Sequence, residues 1–179
     1  AAVTAVVRVA ARELGGADGA TFVLREGDQC HYVDEDAIGP LWKGRRFPMS
    51  ACASGWVMSH REPALIEDIF QDERIPVDAY APTYVRSLVI VPIRVARPIG
   101  AIGTYWARIH RPSEREVRLL QSLADSASIA LENVQLYDDL RVSLGEAQQA
   151  RDEARRQLEL RDEFISIAAH ELNTPLTPL

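Results

Sequence analysis

The sequence predicts an α+β fold: an antiparallel sheet with flanking helices, followed by one long C-terminal helix. Three observations predict it. Residues 1–14 carry apolar side chains at spacings of three and four, the helical period. Residues 20–108 then hold short apolar runs separated by turn residues, the pattern of strands. From Glu114 only Gly145 opposes a helix before Pro175.

In the first helix the expected stripe is Val3, Val6, Val7, Ala10 and Leu14, with Arg8 and Arg12 off it, and Gly15-Gly16 stops it. Strands are expected at Ala20–Leu24 and Gln29–Asp34, around a turn at Arg25–Asp28. A loop with Gly39-Pro40 and Gly44 follows, then a short strand at Arg46–Pro48, a short helix at Ser54–His60 and a short strand at Ala64–Ile66. Residues 67–86, rich in proline and aspartate without clear period, read as loop. Ser87–Arg94 is a buried strand by its Leu88-Val-Ile-Val91 run. Pro92 cannot donate to a ladder, so a bulge or an unpaired side is expected there. Arg97-Pro98 turns the chain into a last strand at Ile99–Arg108.

Composition bounds the function. A chain of 179 residues suffices for one ordinary domain and an extension. With 47% apolar and 26% charged residues it has a globular profile, not a disordered one. The net charge of −6 argues against general nucleic-acid binding. The longest apolar run, Leu88–Ile93, is far shorter than the roughly 20 residues of a membrane span. The start lacks a basic leader and a Met, so we expect a segment cut from a longer chain, in the cytoplasm. Cys30 and Cys52 make no disulfide framework, which agrees with a reducing compartment.

The long helix opens with a capping box, Ser113 with Glu116. At about 1.5 Å per residue it would run roughly 90 Å. Val117, Leu120, Ala124, Ala127, Leu131 and Val134 form a stripe suited to packing on the domain; Leu123, Ala130 and Tyr137 widen it. Beyond, a heptad begins. With Tyr137 at a, the a and d positions are Tyr137, Leu140, Leu144, Ala147, Arg151, Ala154, Leu158, Arg161, Ile165, Ala168 and Leu172. Charged residues fill the other faces, as in a parallel two-stranded coiled coil, and Arg151 and Arg161 weaken it locally.

In that register His170 falls at f, the outermost position. An exposed neutral imidazole is a reachable nucleophile. Glu171 can hold one ring nitrogen as an N–H donor. Thr174 lies one turn on, where its hydroxyl can position a water, and Pro175 removes the amide that the Glu171 carbonyl needs. The strings Asp162-Glu-Phe164, His170-Glu-Leu172 and Thr174-Pro-Leu176 resemble the H-box of sensor histidine kinases of two-component systems. The resemblance implies that His170 is the phosphoacceptor, Glu171 its acid–base partner and Thr174 a phosphatase-linked residue. Asn173 stands where the family often has arginine or lysine. The family's second dimerisation helix and ATP-binding domain would lie past Leu179, and the chain has no G-x-G-x-x-G or Walker A loop. ATP and Mg belong to that missing domain, so this segment should be inactive alone.

The earlier part resembles a GAF domain, through Gly55-Trp-Val57, Glu62–Asp68, Ser87–Ile93 and Pro98–Gly103. The resemblance implies an antiparallel sheet with helices on both sides and a ligand pocket over one face, its ligand unknown. It divides the chain into a GAF sensory domain (1–137), a signalling coiled-coil helix (138–160) and the first part of a phosphoacceptor helix (161–179). The expected partners are a second copy of the chain, a response-regulator receiver domain and a small-molecule GAF ligand. Trp56, Tyr80, Tyr84 and Trp106 are candidates to line the pocket. Cys30-His31 resembles the Cys-His pair that carries a bilin in phytochrome relatives, but it sits in the early hairpin, away from the segment expected to face the pocket. Cys52 precedes a helix N-terminus, which favours a thiolate, although a small buried residue is the default. Phe70-Gln-Asp-Glu73 only partly resembles a cyclic-nucleotide motif. His31, His60 and His110 are too scattered for a metal site. The competing expectations are a non-catalytic GAF dimerisation module and a redox or light sensor.

Overall fold

Gly27, at φ 63°, takes a backbone conformation that L side chains rarely adopt, and it closes the first hairpin. The computed structural model describes residues 2–74 and 77–173. The first helix, α1 (Ala2–Gly15), precedes this hairpin of β1 (Gly19–Glu26) and β2 (Gln29–Ala37). A three-residue strand, β3 (Arg46–Pro48), follows, then a 3-10 turn (Met49–Ala51), α2 (Ala53–His60) and a second three-residue strand, β4 (Ala64–Ile66). The segment expected to be loop contains one short helix, α3 (Val77–Tyr80). Two long strands, β5 (Ser87–Ile93) and β6 (Gly100–Trp106), lead into α4 (Glu114–Asn173).

The six strands form one antiparallel sheet in the order β3-β2-β1-β6-β5-β4. Every residue of β5 and β6 is buried, because both sheet faces are covered. One face packs Tyr32, Leu88, Ile90 and Tyr105 against Val57 and Met58 of α2, Tyr80 of α3 and the loop holding Trp42. The other packs Phe22, Val89, Val91, Ile102 and Trp106 against Val7 and Ala11 of α1 and Leu120, Ala124 and Ala127 of α4. Leu88 and Ile90 alternate with Val89 and Val91 across these faces, as the two-residue period of a strand requires. Each such side chain, fully buried, contributes about 1.5–3 kcal/mol.

Two expectations need correction, and the alternative left open at Pro92 is resolved. The buried face of α1 is Thr4, Val7 and Ala11, while Val6 is 69% exposed. Thr4 hides this stripe in the sequence because it is polar. Arg8 and Arg12 lie beside the sheet and pair with Asp34 and Asp36 of β2. Val134 does not continue the packed stripe of α4; it is exposed. Pro92 causes no bulge: it pairs in register with Ala101. Its missing N–H falls past the end of β4, which covers only Leu88–Ile90, so the unpaired side is the correct alternative. The bulge lies elsewhere, in β2: Phe22 pairs with Asp34 and Val23 with Tyr32, leaving Val33 as the extra residue. It turns Tyr32 toward the α2 face and Asp34, two residues on, toward α1.

Asp34 accepts from Arg8 Nε at 2.6 Å and from Lys43 Nζ at 2.7 Å. Burial pushes its carboxyl up, but the hydrogen bonds and charges of Lys43 and Arg8 outweigh that and hold it below the ordinary range. The stability this adds is full above the ordinary carboxylate pKa, about 4, and is lost as pH falls through the depressed value. Urea midpoints taken across acid pH should therefore fall more steeply for the native protein than for Asp34→Asn. Parallel curves would remove Asp34 from the acid response.

The chain divides into two units, residues 1–132 and 133–179. Within the first, the capping box forms as the sequence predicts: Glu116 N donates to Ser113 Oγ at 3.3 Å, and Ser113 N to Glu116 Oε2 at 2.6 Å. Arg94, at φ 66°, ties the β5–β6 turn to Ser128 and Glu132 of α4.

Candidate functional site

The α2 face of the sheet holds an aromatic and sulfur cluster, and the β2 bulge is why β2 contributes to it. Cys30 and Tyr32 point into this face, fully buried. Trp42 reaches it from the β2–β3 loop, which the Glu35 carboxylate holds by accepting from the backbone amides of Leu41, Trp42 and Lys43 at 3.1, 2.7 and 2.8 Å. The Trp42 ring meets Tyr80 at 4.9 Å, Tyr32 at 5.4 Å and Tyr105 at 5.5 Å between centroids, all tilted or edge-on. Its Nε1 donates to the Ala79 carbonyl at 3.2 Å. Phe47 closes the side against Tyr32. The gap among Tyr32, Trp42, Phe47, Cys52, Ala79 and Tyr80 leaves no room for a water molecule. A ligand bound on this face must therefore part the rings. Among the described residues, the Tyr80 and Tyr84 hydroxyls are the polar groups of this face without a side-chain hydrogen-bond partner.

Of the four expected lining residues, Tyr80 belongs to this cluster, and Trp56 and Tyr84 pack at its margin. Trp106 does not: it lies on the opposite face and stacks on His110 at 4.3 Å. Tyr32, Trp42 and Phe47 were missed. The alternation of Cys30 and Tyr32 along β2 was a usable signal for Tyr32; nothing local marked Trp42, whose position depends on Glu35. Cys30 also needs correction: although in the early hairpin, it faces the aromatic cluster.

Cys52 sits at the N-cap of α2, with φ −151° and ψ 153°. The neighbouring Cys30 thiol and the Gly55 and Ser54 amides outweigh burial and lower its pKa below the ordinary thiol range. The neighbouring Cys52 sulfur and burial raise Cys30. The close seat of α2 depends on Gly55, where a Cβ would overlap the backbone of Met49. Gly55→Ala should cost about 1–3 kcal/mol, the usual penalty for overpacking. A denaturant titration checks this, and an unchanged midpoint would mean that the Met49 turn yields freely.

The histidines serve separate contacts: His31 Nδ1 with Glu26, His60 Nδ1 with the Trp56 carbonyl, and His110 Nε2 with Glu116. Among the described residues no group of His, Cys, Asp and Glu is arranged to hold a metal, and no helix is long and apolar enough to cross a membrane. His170 lies on α4 and is exposed. Glu171 follows it in the same helix; its side chain is outside the described part, as is Thr174 altogether. The expected contacts of Glu171 and Thr174 with His170 therefore lie outside the described residues. In the unit 133–179, the heptad residues Tyr137, Leu140, Leu144, Leu158 and Ile165 are exposed, as are Leu160, Phe164 and Ile167 on a second stripe.

The fold has many solved counterparts. The GAF domain of PixJ from Thermosynechococcus elongatus, in its blue-light absorbing form, superposes with a TM-score of 0.70 at 19% identity, over 81% of this chain and 92% of that one. A domain of a protein assigned as a two-component sensor histidine kinase from Sinorhizobium meliloti 1021 gives 0.62 at 16% identity, over 78% and 96%. Free methionine-R-sulfoxide reductase from Neisseria meningitidis, solved with its substrate, gives 0.65 at 18% identity, over 75% and 78%. No curated protein matches significantly. These identities speak for the fold alone. The profile of the GAF domain matches residues 1–132. With that match, the six-stranded curled sheet and the helices on both faces, the chain belongs to the GAF-domain family, a signalling and sensor fold.

Proposed function

We propose that the chain is the sensory and phosphoacceptor part of a two-component sensor histidine kinase. In this reading the GAF domain relays a signal through a dimeric coil to His170. His170 accepts phosphate from ATP and passes it to the aspartate of a response-regulator receiver domain. The observation that carries the reading is the H-box string, with its histidine exposed on α4, the helix whose Leu120, Ala124 and Ala127 are part of the GAF core. The unpartnered apolar residues of 133–170 support dimerisation, since an isolated helix with such a face is marginal in water. Their second stripe, Leu160, Phe164 and Ile167, supports a helical bundle around the phosphoacceptor, in which more than two helices meet.

The parent protein would be an ATP-dependent protein-histidine kinase, working in the cytoplasm. Glu171 would fix the imidazole tautomer and Thr174 would serve dephosphorylation. A change in the GAF domain would rotate or re-register the coil and alter access to His170. The test supplies the ATP-binding catalytic domain of the parent protein, with ATP and Mg, to this chain in trans. Acid-labile, alkali-stable phosphate should appear and map to residue 170. A chain that stays unlabelled while the catalytic domain hydrolyses ATP would favour the rival reading, a GAF module that only dimerises.

A further inference from the structure

The β2–β3 register sets Cys30 opposite Phe47 and Gln29 opposite Pro48. The 3-10 turn Met49–Ala51 starts at once and ends at Cys52. Two cysteines far apart in sequence are thus folded over a single turn. Cys30 Sγ lies 3.4 Å from Met49 Sδ, and Cys52 Sγ lies 3.8 Å from the Pro48 carbonyl. Both side chains belong to the same buried cluster. Both are reduced in the structure, and Cys52, 5% exposed, is the more accessible. Nothing in the phosphoacceptor reading uses them.

We propose that Cys30 and Cys52 are a peroxide-reactive thiol pair that closes to an intramolecular disulfide. Cys52 is the attacking sulfur: its thiolate is favoured by the α2 amides and by the Cys30 thiol, while Cys30 stays protonated. The thiolate attacks one peroxide oxygen, the O–O bond breaks, and the leaving hydroxide or alkoxide takes up a proton. Cys52 is then a sulfenic acid. Cys30 sulfur next attacks Cys52 sulfur. The S–S bond forms, the S–O bond breaks, and hydroxide leaves with the Cys30 proton as water. The peroxide gains two electrons and the thiol pair loses two. Closing the bond draws the sulfurs to about 2.05 Å. That pulls the N-terminus of α2 toward β2, against Tyr32 and Tyr80, so oxidation acts directly on the aromatic cluster.

The experiment uses the purified chain, reduced, then treated with hydrogen peroxide, and alkylated in denaturant. Expected are an intact mass lower by two hydrogens before alkylation, loss of both alkylatable thiols, and a Cys30–Cys52 linked peptide, all reversed by a reductant. Cys30→Ser should stop at a Cys52 sulfenic acid that a 1,3-dicarbonyl probe traps. Cys52→Ser should slow peroxide-dependent thiol loss by about tenfold or more, the difference expected between a thiol ionised near neutrality and an ordinary one. The proposal is overturned if both wild-type thiols remain alkylatable after a peroxide dose that consumes a free thiol. It is equally overturned if oxidation gives only disulfides between chains. The wild-type arms decide this even if a variant fails to fold, and they are independent of phosphate transfer.

Discussion

A chain carrying His170→Gln takes up no acid-labile phosphate from the catalytic domain of the proposed kinase, and its melting temperature does not move. Both halves of this expectation have a physical basis. Position 170 is exposed on a helix, and surface substitutions of this kind change stability by no more than about 0.5 kcal/mol. The chemistry, by contrast, is lost outright. A neutral imidazole offers a ring nitrogen lone pair to phosphorus, whereas the amide nitrogen of glutamine has its lone pair delocalised into the carbonyl. The measurement is radiolabel from ATP resolved by acid and alkali treatment, beside a thermal melt. Label surviving the substitution would remove His170 from the reaction. Label lost together with the fold would make the result structural.

The largest stability loss is expected for Trp42→Ala. The residue is 3% exposed and touches three buried tyrosines, and its indole nitrogen is bonded to Ala79. Removing a buried aromatic side chain of this kind costs about 3–5 kcal/mol, through lost transfer energy and the cavity left behind. Against a typical total of about 5–15 kcal/mol, that is a substantial share of the folding stability. Trp42→Phe keeps a ring but loses volume and the N–H, so its loss should be smaller. Equilibrium unfolding in urea reads both. A loss below about 1 kcal/mol for alanine would show that the cluster collapses onto the gap without penalty.

The strands and helices were legible because their signals are local. The β1–β2 hairpin, the buried β5 run and the Ser113–Glu116 box each declare themselves within a few residues. What escaped depended on partners distant in sequence. The face of Asp34 follows from the Val33 bulge, which alternation alone cannot reveal. The place of Trp42 depends on a carboxylate seven residues earlier that captures three loop amides. Which of Tyr105 and Trp106 faces α2 needed the register of β6 on β1 and β5. The candidate sites divide the same way. His170 was readable from a short string and a heptad. The meeting of Cys30 and Cys52 was not, because it required the β2–β3 pairing to fold one cysteine over the turn that carries the other.

The two edges of the sheet, β3 and β4, are three residues each, and β3 ends in a proline and bears an arginine. Such edges offer little unpaired backbone for another strand to join. Self-association of this molecule is therefore steered away from open-ended strand stacking, the route to fibres. Helix-to-helix assembly can saturate once its apolar faces are covered. At high concentration the protein should form closed complexes of fixed size instead of growing aggregates.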